Sequence, residues 1–183
     1  MSHRTFITGF GPFGSFTQNP SEILARGSGR PFQILEVGYS TVDSFLDSID
    51  PYSFERLLMM GVSEHAQCFR LEMVGRNQTG CSPDVFGRAL TDPYIDPSGP
   101  SALSSTLWKP EHVEDLKGMA MLSEDAGSYL CNYAYYRALQ ELPHRRVGFL
   151  HVPSHDTIGE KDQAEFLKHL LDLIEAKEDR SAR

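Results

Sequence analysis

Positive charge is scarce in this chain: Lys and Arg number 17 against 25 Asp and Glu, a formal net charge of −8, with no basic block able to neutralise successive phosphates. Nucleic acid is therefore not an expected partner. Long apolar runs are missing as well, since none approaches the ~20 residues of a membrane span. The opening residues MSHRTFITGF lack the basic start and apolar core of a signal peptide. No membrane association and a cytoplasmic location are expected. Cysteines are few and odd in number, Cys68, Cys81 and Cys131. That fits free thiols in a reducing compartment better than a disulfide scaffold. No segment repeats at a fixed period and none is of low complexity. At 183 residues the chain can bury one full core and is short for two, so a single domain over 1–183 is expected, with 177–183 as a solvated tail.

What is present alternates short apolar runs with helical patterns. Residues 4–9, 32–37, 56–60, 69–74, 119–122 and 146–152 read as strands, and 20–26, 42–49, 127–142 and 161–176 as helices. This rhythm predicts an α/β fold, a three-layer α/β/α sandwich around a mixed, mostly parallel sheet, with sites at the carboxyl ends of strands. Residues 78–112 break the rhythm. They hold five prolines and little periodicity, which fits a lid, an oligomer contact or an irregular packed excursion.

The chemistry centres on SEDAGSYLC at 123–131, a small-residue turn running into the amphipathic NYAYYRALQEL. With Ser123, Asp125 or Ser128 as N-cap, Cys131 falls in the first or second turn of a helix. There the macrodipole and unpaired N–H groups favour thiolate over thiol. Cys131 is thus a candidate nucleophile; the alternative is a small buried hydrophobe. His151 closes the strand RVGFLHV, stopped by Pro153, and so stands at the carboxyl edge of the sheet as a candidate base or as a structural histidine. Glu72 interrupts the apolar strand FRLEMV. It is either exposed on a wet face or buried with a partner, and a buried carboxylate can orient a histidine as the third member of a triad.

The loop after the first strand, GFGPFGSFTQNPS at 9–21, spells G-x-G-x-x-G, but a proline and two phenylalanines crowd the space of a pyrophosphate and no cation follows. No dinucleotide is expected. Phe10, Phe13 and Phe16 recur every three residues and read as a hydrophobic binding wall or as core, with Asn19–Pro20 opening a helix. His65, Cys68 and Cys81 lack a fourth ligand, and Pro153 separates His151 from His155, so no metal and no cofactor are expected.

GFGPFGSFTQNPS, LEMVGRN at 71–77, SEDAGSYLCN at 123–132 and FLHVP at 149–153 resemble, in order and spacing, the signature regions of pyroglutamyl peptidase I, the cysteine peptidases of family C15. The resemblance spans nearly the whole chain. It implies Cys131 as nucleophile, His151 as base and Glu72 as its orienting residue, in removal of N-terminal pyroglutamate from peptides through a thioester. It also implies that Phe10, Phe13 and Phe16 hold the pyroglutamyl ring with Asn19 at the foot of the loop, and it points to homo-oligomers. The chain departs from the bacterial pattern at 78–85, QTGCSPDV, one residue shorter and without the arginine found there in bacterial members. Two alternatives stay open: a non-catalytic protein of this fold that binds pyroglutamyl peptides or serves in interactions, and a hydrolase of another small acyl amide.

Overall fold

In a computed structural model, which describes residues 5–116 and 118–176, six strands form one sheet in the order β2-β1-β3-β8-β4-β7. These are β1 (Thr5–Phe10), β2 (Phe32–Leu35), β3 (Arg56–Val62), β4 (Phe69–Glu72), β7 (Ala120–Ser123) and β8 (Arg146–Val152). β2, β1, β3 and β8 are parallel, whereas β4 pairs antiparallel with β8 and carries β7 parallel to itself. The sheet is therefore mixed and mostly parallel. Central β3, RLLMMGV, is buried at every position, the reading of a strand covered on both faces.

One face packs on α2 (Tyr39–Ser48) and α4 (Leu130–Glu141) through Leu57, Met59 and Phe149, with Val42, Phe45, Ala134 and Tyr135 opposite them. The other packs on α1 (Pro20–Gly27) and α5 (Glu160–Ala176) through Leu58, Met60, Leu71 and Leu150. No helix among the described residues is long and apolar enough to cross a membrane. The expected tail, 177–183, lies outside the described residues.

The apolar run 69–74 is two strands, not one. Met73 leaves the main sheet, its N–H donating to the Ser123 carbonyl at 2.6 Å, and β5 (Val74–Arg76) pairs with β6 (Ala102–Ser104) instead. This ribbon crosses α4 so closely that a Cβ on Gly75 would sit 3.1 Å from the Tyr136 Cα. The segment 78–101 between them is irregular but tied down: Asn132 on α4 takes the Arg76 N–H and donates to the Arg76 and Gln78 carbonyls, and Tyr136 Oη donates to Pro100 O. The short helix α3 (Glu111–Asp115) ends the excursion.

Candidate active site

Strand register lines up four residues across the sheet near the edge where β1, β3 and β8 end: Gly61 of β3 opposite His151 of β8, His151 opposite Arg70 of β4, and Arg70 opposite Met121 of β7. Directly opposed residues share a face. Here it is the face under α4, because Phe149, two residues before His151, packs in that cluster.

Helix α4 delivers Cys131 to this row. Its N-cap is Tyr129, with no side-chain cap, so the first N–H groups of the helix are free of the usual local acceptor. The three expected caps are used otherwise or left outside: Asp125 Oδ1 accepts from Gly127 N at 2.9 Å, and the Ser128 carbonyl accepts from Gly80 N at 2.6 Å. Gly127, at φ 82°, makes a turn that side chains resist. Cys131 is the second helical residue, and a Cβ on Gly61 would lie only 2.8 Å from its Sγ. The thiol thus occupies the space that the missing side chain leaves, next in the row to His151.

His151 is 7% exposed and Glu72 0%, and the imidazole Nδ1 meets Glu72 Oε1 at 2.7 Å. That contact turns the other ring nitrogen toward the sulfur. Burial on its own would lower the His151 pKa, but the electrostatic influence of the neighbouring Cys131 sulfur, the hydrogen bond to it and the Glu72 carboxylate outweigh burial and push it up to about 9. Glu72 is held in turn by Tyr135, whose Oη donates to the Glu72 carbonyl at 2.8 Å, while Glu72 Oε2 has no partner among the described residues.

On the β1 side of Cys131 lies a hollow of about 20 Å³, walled by Phe10, Phe13, Asn19, Val37, Val62 and Tyr129. Phe10 is also core, at 3% exposure. Phe16 lies outside the hollow and braces Phe13, with ring centroids 5.6 Å apart and reciprocal backbone hydrogen bonds. Asn19 lines the floor with its amide engaged: Oδ1 caps α1 by accepting from Ser21 N at 3.0 Å, and Nδ2 donates to Gly11 O at 3.1 Å. A larger cleft, about 410 Å³, opens on the opposite face between α1 and α5, away from Cys131 and His151.

Residues 3–165 match the family model of the pyroglutamyl peptidases. The chain belongs to that family. It is 30% identical to pyroglutamyl-peptidase 1 of Homo sapiens, an alignment covering 94% of this chain and 91% of that protein. It is likewise 30% identical to a pyrrolidone-carboxylate peptidase of Bacillus subtilis, over 84% of this chain and 79% of that one. The solved pyrrolidone carboxyl peptidase from Thermus thermophilus superposes with a TM-score of 0.82 at 31% identity, covering 92% of this chain and 98% of that one. Cys131, His151 and Glu72, read from sequence as a set, meet in one place. Val37, Val62 and Tyr129 were not legible as pocket walls. They come from the ends of β2 and β3 and from the N-cap of α4, and only the register β2-β1-β3 brings them around Phe10.

Proposed function

We propose that this member of the pyroglutamyl peptidase family removes N-terminal pyroglutamate from peptides, with Cys131 as nucleophile, His151 as general base and acid, and Glu72 acting through His151. The observation that carries this reading is the thiol seated over Gly61 beside an imidazole whose Nδ1 is fixed by a buried carboxylate. The Cys131 thiolate attacks the carbonyl carbon that joins pyroglutamate to the next residue, forming the C–S bond. Free N–H groups at the start of α4 hold the oxyanion. His151 protonates the leaving nitrogen, the C–N bond breaks, and the peptide departs one residue shorter. Water, deprotonated by His151, then cleaves the thioester and releases pyroglutamate.

The ring is assigned to the hollow beside Phe10 and Phe13. In the conformation described, that hollow has room for about one water-sized sphere. Ring entry therefore requires Phe13 to swing outward with the Phe16 turn, which contains Gly14 at φ 55°. A reducing compartment, consistent with three unpaired cysteines, keeps the thiol active.

Release of a chromophoric amine from a pyroglutamyl amide tests the reading, with activity expected in the native chain and none in Cys131→Ala. Absence of release from the native chain would favour the non-catalytic alternative. The pH profile supplies a second check. Protonated His151 is the acid that serves the leaving amine, so activity persists below its pKa and falls as pH rises through about 9. Glu72→Gln removes the carboxylate charge that helps raise this pKa, and the alkaline limb of kcat/KM is expected to move to lower pH. A limb that stays in place would mean that Glu72 does not act on His151.

A further inference from the structure

We propose that Arg70 binds the carboxylate of the residue released with the leaving amine, so that pyroglutamyl dipeptides with a free C-terminus are turned over in preference to their amides. The inference rests on the function proposed above. β4 puts Arg70 and Glu72 on one face by strand alternation, and the register sets Arg70 directly opposite His151, one step nearer the sheet edge than Glu72. The row therefore runs Gly61 with the Cys131 sulfur above it, then His151, Arg70 and Met121.

The acyl hollow lies on the β1 side of Cys131, so the remainder of the substrate leaves across His151 toward β4. A carboxylate carbon follows the scissile nitrogen by two bonds, about 2.5 Å away by ordinary backbone dimensions. A free α-carboxylate thus comes down beside His151, over the strand that carries Arg70.

No ion pair or hydrogen bond engages the Arg70 side chain among the described residues. Its Nε is buried with no hydrogen-bond partner among the described residues. Glu72 on the same face has given Oε1 to His151, and no contact joins its Oε2 to the guanidinium. Buried donors without acceptors are costly, and a guanidinium fork matches a carboxylate in a bidentate pair. Beyond Arg70 the row ends at Met121, 47% exposed, which leaves an open side for the side chain of the departing residue.

The test compares pyroglutamyl-alanine with pyroglutamyl-alanine amide in the full chain. The free acid is expected to be favoured in kcat/KM by about tenfold or more, the scale of one hydrogen-bonded charge. In Arg70→Met the preference should vanish while the amide is still cleaved, which also shows that the variant folds; Arg70→Gln repeats the measurement if Met is poorly accommodated. Arg70→Lys, which keeps the charge and loses the fork, should retain only part of the preference. Equal rates on acid and amide in the native chain, or a preference that survives in Arg70→Met, would overturn the assignment. Cleavage of the amide without preference refutes Arg70 alone, whereas failure on both substrates refutes the peptidase reading as well.

Discussion

His151→Ala is expected to lose nearly all the activity that Cys131→Ala loses, at least about a thousandfold in kcat, because members of one catalytic unit are grossly non-additive. The double variant should lose little more than either single one. The imidazole carries both the acid and the base step, and nothing else on the α4 face of the row can replace it. The experiment needs a stability control, since removing His151 strands Glu72, 0% exposed, with neither oxygen paired. Breaking a buried pair this way costs about 3–5 kcal/mol. His151→Ala combined with Glu72→Gln removes the stranded charge and separates lost chemistry from lost folding. Wild-type rates in His151→Ala would place the base elsewhere. His155, whose Nε2 is buried without a partner among the described residues, would be the next residue to replace.

How much of this was legible beforehand depends on whether the deciding interaction is local. β8 was read with its observed bounds, 146–152, since an unbroken apolar run stopped by Pro153 carries its own limits. Two polar residues placed in otherwise apolar strands left the pairing of Glu72 with His151 open, and the family resemblance implied it. Helix α2 starts at Tyr39, earlier than the 42 expected, and the reason is remote in sequence. Its first N–H is taken by the Asp84 carboxylate at 3.1 Å, 45 residues away. Burial works to raise the Asp84 pKa, but N–H groups of Arg88, Tyr39 and Phe86 together hold it below the usual carboxylate range. The same irregular segment sends the Tyr129 hydroxyl a partner, Pro83 O at 2.9 Å, so it fastens the two helix starts that border the acyl hollow. Prolines and weak periodicity signalled an excursion there without saying what it touches.

Gly61 and Arg70 were missed for a related reason. A glycine ending an apolar strand is an ordinary strand terminus until α4 is laid over it, and an arginine two residues before Glu72 is an ordinary wet-face residue until β4 is known to run antiparallel beside β8. Sequence alternation gives the face. It does not give the neighbouring strand, and here the neighbouring strand is what turns side chains into a site.

A prolyl amide is expected to be turned over at least about a thousandfold less well in kcat/KM than the corresponding pyroglutamyl amide, a cautious reading of the roughly 10⁴-fold rejection shown by sites built around one substrate hydrogen bond. The two rings have almost the same shape, so shape cannot separate them. Charge and hydrogen bonding can. The prolyl nitrogen, with a model α-amino pKa of about 8, is largely cationic at neutral pH, whereas the lactam is neutral and offers one N–H and one carbonyl. Phe10, Phe13, Val37, Val62 and Leu130 present hydrocarbon to the ring, and among the described residues no carboxylate lines the hollow. An ammonium placed there would be buried unpaired, whereas the neutral lactam carries no such charge. Asn19 cannot relieve the charge, because its Oδ1 already caps α1 and accepts the Ser21 hydroxyl at 2.8 Å. Comparable rates on the two amides, measured side by side with the Cys131→Ala protein as blank, would show that the aromatic wall reads shape alone. The reaction would then have to be rewritten as that of a broader amidase.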